Sequence, residues 1–205
     1  LFTMALLIAA VVLLFKPKTY LPRLKWACMA LIISVAYIGY AGFNKNLIDH
    51  RVNDFLKTDR INSSGYFTTP APFNCMLWYV VIDTDSSYYT AYSSVWDNAE
   101  QPVTYARHLK NYALLERVSG KHAVQNLKVF AGHYYTISRS DGDLYINILR
   151  FGQIQGWRDP DAPFVLSYPL SSGKGRALLL QKGRMAGWNG SSIQAYLRRI
   201  GGELP

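Results

Sequence analysis

The chain has 205 residues, which is enough for one domain with a hydrophobic core and an accessory element. Its net charge is +9, yet the basic residues form no continuous stripe, and this argues against a nucleic-acid partner. The two cysteines and four histidines show none of the spacings that hold zinc. The sequence therefore predicts no metal ligand and no cofactor in this chain.

Two apolar runs open the chain. Residues 1–15 carry no charge, and residues 24–43 carry one, Lys25, at their edge. Helices of a soluble core normally keep a polar stripe, which both runs lack. Aromatic residues lie towards both ends of the second run, as in the interfacial belts of membrane helices. We expect residues 1–43 to form a transmembrane helical hairpin.

The loop between the two runs is basic and contains no acidic residue. Its charges are Lys16, Lys18, Arg23 and Lys25. By the positive-inside rule this loop is cytoplasmic, and the rest of the chain emerges on the opposite face. We therefore expect a protein of the bacterial inner (plasma) membrane whose C-terminal domain is extracytoplasmic and whose first partner is the lipid bilayer.

A domain boundary is predicted after the membrane segment. Residues 44–60 place apolar side chains among charged ones at helical spacing, which indicates a short amphipathic helix. Residues 61–74 are rich in Ser, Thr, Gly and Pro, a composition typical of a linker. We assign residues 44–65 to this juxtamembrane helix and linker, and residues 66–205 to a globular extracytoplasmic domain.

Two strand patterns and then two helix patterns open that domain. Residues 75–83 form an apolar, β-branched and aromatic run suited to a central strand buried on both faces. Residues 87–95 form a second strand pattern. Residues 103–118 and 120–131 are predicted as helices, the second with apolar residues recurring at helical spacing.

The strongest hairpin signal is the Asp-Gly pair at residues 141–142. It separates strand patterns at 133–140 and 143–152, and such a pair tolerates the positive φ angles of a type I′ turn. A further strand is predicted at 163–170. A short C-terminal helix follows, opened by Ser191 or Ser192 and ended by glycine.

The predicted fold class is therefore α+β. Two N-terminal transmembrane helices precede an extramembrane domain with a mainly antiparallel sheet and two or three helices.

Aromatic residues crowd the predicted strands. An aromatic sheet face can stack on a ligand or a sugar ring, although core packing and cross-strand pairing explain the same residues. Arg150 is a charge on an otherwise apolar strand face, where it should be paired or functional. The candidates for ligand binding are Asn74, Trp78, Tyr89, Tyr135 and Arg150.

Several short motifs occur in a distinctive order. They are Pro70-Ala71-Pro72-Phe73-Asn74 before Leu77-Trp78, then Tyr88-Tyr89 and Tyr92-Ser93, Gly132-His133-Tyr134-Tyr135, Leu149-Arg150-Phe151-Gly152 and Phe164-Val165-Leu166. In this order they resemble the C-terminal half of the bacterial predicted membrane-bound, metal-dependent hydrolases, a family that includes LexA-regulated inner-membrane proteins. The similarity covers most of residues 25–205.

The resemblance implies that this chain is the C-terminal part of such a protein. The metal motif of that family, of the type His-Arg-Gly…His-Ser, belongs to an N-terminal multi-spanning region, and only the pair His50-Arg51 echoes it here. The resemblance thus implies an absent catalytic half, a divalent metal only in the full-length protein, and a fragment that is inactive alone. The alternative is a non-enzymatic, membrane-anchored envelope domain that binds a partner, a glycan or a lipid headgroup through its aromatic sheet. Neither interpretation names the substrate or the envelope partner.

Overall fold

The computed structural model describes residues 8, 11, 20–98, 103–115, 122–140, 142–170, 180, 181 and 187–204. The elements in chain order are α1 (Tyr20–Thr58), β1 (Ser63–Pro70), β2 (Leu77–Thr84), β3 (Ser87–Ser94), β4 (Ala106–Leu109), a 3-10 helix (Tyr112–Leu115), α2 (His122–Ala131), β5 (Tyr135–Ser140), β6 (Asp143–Gln153), β7 (Phe164–Pro169), β8 (Leu180–Gln181) and α3 (Gly190–Ile200). The fold is α+β, as predicted. Its strands form two antiparallel four-stranded sheets, β1-β2-β3-β4 and β5-β6-β7-β8, instead of one.

The first half of α1 is an exposed apolar helix. Between Leu24 and Phe43 most apolar side chains are exposed, whereas Ala30 and Ser34 are buried. The segment Leu24–Thr58 is long and apolar enough to cross a membrane. A helix of 39 residues measures about 58 Å, which exceeds the roughly 30 Å hydrocarbon core of a bilayer.

The described part of the chain holds one candidate membrane span. The other predicted span, residues 1–15, lies outside the described residues except for Ile8 and Val11. The predicted pair of transmembrane helices is therefore not confirmed.

The second half of α1 is part of the domain core. Ile48 and Val52, four residues apart, are fully buried against Trp78, Val80 and Ile82 of β2. The predicted juxtamembrane helix is thus continuous with the apolar helix, and it covers one face of the first sheet. Burying side chains of this size stabilises the fold by about 1.5–3 kcal/mol each.

The Ser/Thr/Pro-rich segment that the sequence predicted as a linker contains a strand. β1 pairs antiparallel with β2 along its whole length, from Ser63 opposite Thr84 to Pro70 opposite Trp78. The prediction was wrong because β1 is an edge strand with half-buried side chains. Polar residues fit such a surface, and a proline at the end of an edge strand removes no ladder hydrogen bond.

The predicted central strand is confirmed in β2, whose residues Leu77 to Ile82 are all buried. The even-numbered side chains face α1. The odd-numbered ones, Tyr79 and Val81, face Leu149 and Phe164 of the second sheet. The outer face of the second sheet is covered by α2 and the 3-10 helix. The layers are therefore α1, the first sheet, the second sheet and α2.

The predicted hairpin is confirmed. β5 pairs with β6 from Tyr135 opposite Ile148 to Ser140 opposite Asp143, which leaves a two-residue turn. Gly142 has a φ of +84°, a value that a type I′ turn needs at its second residue.

The helix predicted over residues 103–118 is wrong for the described residues 103–115. Ala106–Leu109 forms β4, which pairs with β3, and Tyr112–Leu115 forms the 3-10 helix. Helical spacing in this segment is overridden because the free edge of β3 offers backbone hydrogen bonds that β4 satisfies.

The predicted C-terminal helix is present as α3, with a different cap. Oδ1 of Asn189 accepts from the backbone N of Ser192 at 2.9 Å, and Oγ of Ser192 accepts from the backbone N of Asn189 at 2.7 Å. This reciprocal capping box makes Asn189 the N-cap residue. Tyr196 packs α3 against Leu77 and Trp157.

Candidate functional site

The two sheets contact each other over only part of their facing surfaces. Where they meet, the inner face of the second sheet is apolar, with Leu149 and Phe164 against the first sheet. Further along, the same face carries Thr136, Ser138, Tyr145, Asn147 and Ser167. A cleft of about 650 Å³ lies there between these residues, β4 and the loop before β7. We call it the polar cleft, and its volume falls in the range of small-molecule sites.

A cross-strand row of polar side chains lines the polar cleft. Thr136, Asn147 and Ser167 lie opposite one another on β5, β6 and β7. Nδ2 of Asn147 donates to Oγ of Ser138 at 2.9 Å and to Oγ1 of Thr136 at 3.4 Å. The hydroxyl of Ser167 donates to Oδ1 of Asn147. Because Asn147 uses both ends of its amide, its orientation is fixed by the sheet.

The row leaves hydrogen-bonding capacity for a ligand. Ser138 and Thr136 accept from the Asn147 amide, so their own hydroxyl hydrogens remain available for donation. Ser167 donates its hydrogen to Asn147, so its lone pairs remain available for acceptance. The second sheet therefore presents donors and an acceptor side by side, as a ligand rich in hydroxyl or amide groups requires.

His108 of β4 faces the same cleft. Its Nε2 lies 2.8 Å from Oγ1 of the buried Thr90, which itself donates to Oε1 of Gln153 at 3.5 Å. The ring of His108 and the hydroxyl of Thr90 thus share one hydrogen bond, in which either atom can be the donor. Burial lowers the pKa of His108 below its ordinary value, and the carboxylate of Asp161 opposes the shift.

The charges on the described lining of the polar cleft balance. Among the described residues that line it, one side chain is basic, Arg107, and one is acidic, Asp161, and both are exposed. The lowered pKa keeps His108 uncharged near neutral pH. The ring of Phe164 lies edge-on to His108, with 5.1 Å between ring centroids, and adds an apolar wall.

Of the five predicted candidates, Asn74, Trp78 and Tyr89 belong to the first sheet and its loop. Oδ1 of Asn74 accepts from the backbone N of residues 76 and 77, so this side chain holds a turn. Trp78 is buried against α1 and donates to the carbonyl of Cys75 at 2.9 Å. Tyr89 packs edge-on to Phe55.

The other two candidates lie on the outer side of the second sheet. Tyr135 is buried beside Tyr112, with 4.8 Å between ring centroids. Arg150 is exposed, and its guanidinium donates to the carbonyl of Phe130 at 3.4 Å, one residue before α2 ends. A cation at a helix C-terminus offsets the helix dipole. The structure thus divides the five candidates between the α1-facing side and loop of the first sheet and the outer side of the second, and none of them lines the polar cleft.

Sequence reasoning missed the polar row and His108. The polar residues alternate with Ile137, Ile146 and Leu166. This pattern is typical of strands whose polar side faces solvent, so it gave no sign of a binding site. Asn147 carried a usable signal, because asparagine is depleted in strand interiors. His108 was placed on a helix surface because its strand was not predicted.

No group of three His, Cys, Asp or Glu side chains that could hold a metal occurs among the described residues. Comparisons with known proteins gave no match: no family model, no curated protein and no solved structure is similar to this chain.

Proposed function

We propose that this chain is a membrane-anchored binding domain that holds a small, neutral ligand rich in hydroxyl or amide groups, such as a sugar, in the polar cleft. The observation that carries this proposal is the hydrogen-bonded row of Thr136, Asn147 and Ser167 on the inner face of the second sheet. A site built to hydrogen-bond hydroxyl groups discriminates strongly against ligands that lack them.

The membrane anchor is supported by the exposed apolar half of α1. We propose that the basic segment 16–25, whose residues from Tyr20 onwards belong to α1, is cytoplasmic in a bacterial inner membrane, with the polar cleft on the other side. A second span along α1 is supported by the burial of Ala30 and Ser34, because small residues four apart allow a neighbouring helix to approach closely. A reporter fused after residue 205 should read extracytoplasmic, and a cytoplasmic signal would overturn this orientation.

The binding test uses the full chain in lipid nanodiscs. Neutral mono- and disaccharides are titrated calorimetrically, with a uronic acid and an amino sugar as charged probes of the same size. We expect the neutral sugars to bind and the charged ones to bind more weakly. Asn147→Leu should weaken binding at least about tenfold, or about 1.4 kcal/mol, because it removes the amide that orients the ligand-binding hydroxyls of the row.

The matched control is Asn126→Leu, on the exposed surface of α2, which should leave the affinity unchanged. Circular dichroism confirms that both variants fold. Equal affinities for the wild type and Asn147→Leu would remove the polar row from the site. The absence of binding by every neutral sugar would refute the ligand class.

The hydrolase activity implied by the family resemblance needs ligands beyond those seen here. We propose that any such metal centre draws on residues outside the described part or on sequence outside this chain. Metal analysis of the same purified samples, with turnover assays before and after chelation, tests this. Stoichiometric metal with chelator-sensitive turnover would show that this chain carries a centre of its own.

A further inference from the structure

Three side-chain contacts between α1 and the β1–β2 hairpin fix the direction in which the hairpin points. From the C-terminal part of α1 towards its apolar half, the pairs are Asn53–Tyr66 (3.4 Å), Asp49–Thr68 (3.0 Å) and Asn44–Cys75 (2.8 Å). Residue numbers rise along β1 as they fall along α1. The loop of residues 71–76 that joins β1 to β2 therefore lies at the end of the first sheet nearest the apolar half of α1.

The height of this loop relative to a bilayer follows from helix and strand geometry. The apolar stretch from Leu24 to Phe43 is about 30 Å long, which matches the hydrocarbon core, so the core boundary lies near Phe43. Asp49 lies about 9 Å along α1 from Phe43, and Thr68 is at the same height as Asp49. β1 descends about 7 Å from Thr68 to Pro70. The loop beyond Pro70 thus reaches the boundary itself.

The side chain at the tip of this loop is an exposed phenylalanine. Phe73 is 76% exposed and has a φ of +62°, a left-handed conformation that is unfavourable for a bulky residue. The loop is held rigidly around it. Asn74 fixes the turn through its Oδ1, and its Nδ2 donates at 2.8 Å to the hydroxyl of Tyr196 on α3. A strained backbone conformation of this kind persists only where the surrounding contacts hold it in place.

We infer that Phe73 inserts into the interfacial layer of the same bilayer that α1 spans, so that the loop of residues 71–76 is a second membrane contact of the domain. The inference rests on the membrane anchor proposed above. The occupant is the phospholipid interface, because the apolar surface of α1 continues through Phe43 to the height of the loop. Aromatic side chains favour this layer of the membrane. The helix and the loop together fix the orientation of the domain relative to the membrane, whereas a single helix would leave that orientation free.

The test is a spin-label accessibility measurement on the full chain in phosphatidylcholine–phosphatidylglycerol nanodiscs. Cys28→Ala and Cys75→Ala provide the background, and single cysteines are introduced by Phe73→Cys, Leu31→Cys and Val129→Cys. Leu31 is an exposed residue of the apolar half of α1. Val129 is 82% exposed on α2, the layer opposite α1, and is the matched control. Circular dichroism verifies folding of each labelled chain.

We expect the label at 73 to be more accessible to oxygen than to a water-soluble nickel chelate, as the label at 31 should be, with the reverse ratio at 129. A water-like ratio at 73 beside a lipid-like ratio at 31 would overturn the second contact and leave the anchor intact. A water-like ratio at 31 would overturn the anchor and the second contact together.

Discussion

Replacement of Arg199 by methionine should destabilise the domain by several kilocalories per mole. Arg199 of α3 and Asp97 form an ion pair whose side chains are 4% and 3% exposed. The guanidinium donates through both terminal nitrogens to the carboxylate and also to the carbonyl of Tyr92. Removing one partner of a buried pair leaves the other charge uncompensated and costs about 3–5 kcal/mol. This is a large share of the roughly 5–15 kcal/mol that stabilises a typical domain.

The neighbouring residue supplies a matched control. Arg198 lies on the same helix, and its contact with Glu203 is 4.0 Å long between side chains that are 60% and 68% exposed. Exposed pairs of this kind contribute at most about 1 kcal/mol. Arg198→Met should therefore change stability little. Urea unfolding of the chain in nanodiscs, followed by tryptophan fluorescence, compares the two variants, since Trp157 and Trp188 both contact α3 through Tyr196.

The double variant Asp97→Asn/Arg199→Met separates the pair from the packing of the arginine stem. Its loss of stability should be smaller than the sum of the two single losses by at least about 1 kcal/mol, because the second substitution removes the charge that the first leaves unpaired. Serine contacts to Asp97 from Ser93 and Ser94 remain for the asparagine. Equal losses for Arg199→Met and Arg198→Met, or strict additivity in the double variant, would refute the reasoning.

Two further predictions concern pH and domain limits. The lowered pKa of His108 means that the unfolded chain takes up its proton first as the pH falls below about 6.5. The free energy of unfolding that this residue contributes should therefore decline as the pH falls. The urea midpoints measured at pH 7.5 and pH 5 should differ less for His108→Gln than for the wild type. An equal difference in both proteins would contradict this prediction. A chain that begins at Asn44 should be soluble and unfold cooperatively. A chain that begins at Ile61 should aggregate, because it lacks the Ile48 and Val52 side chains that cover β2. If the shorter chain is soluble and unfolds cooperatively, the first sheet needs no helical cover.

The elements that the sequence predicted well are those whose signal is local. The strand at β2 is recognisable because both of its faces are buried, so every position from Leu77 to Ile82 is apolar or aromatic. The hairpin at Gly142 follows from turn chemistry alone. The α3 helix has an amphipathic pattern, and its true cap at Asn189 lies two or three residues before the predicted caps, Ser191 or Ser192.

The elements that were missed depend on distant partners. β1 and β4 are edge strands, and each becomes a strand because a neighbouring edge supplies its hydrogen bonds. The division into two sheets could not be predicted from the sequence either. The alternation of side chains shows which of them share a sheet face, but it does not show which element packs against that face. This is why Arg150 was correctly placed with Ile146 and Ile148, while its partner, the end of α2, could not be named.

The polar cleft escaped prediction for the same reason. Most of its polar residues come from β4, β5, β6 and β7, and each of these taken alone is an ordinary polar position on a strand. Only the pairing of Asn147 with Thr136 and Ser167 turns three isolated residues into a row. Its opposite wall needs β4, which the sequence placed in a helix.

The position of the polar cleft along α1 favours a ligand from the aqueous phase over a lipid headgroup. His108 lies opposite Tyr88 in the ladder, and the adjacent Tyr89 contacts Phe55 of α1. Phe55 is about 18 Å along the helix from Phe43, where the hydrocarbon core should end. The headgroup layer beyond that core is only about 5–8 Å thick. If α1 spans a bilayer as proposed, the two ends of the first sheet face different surroundings, with the loop of Phe73 at the bilayer and the polar cleft beyond the headgroups, where soluble sugars are accessible.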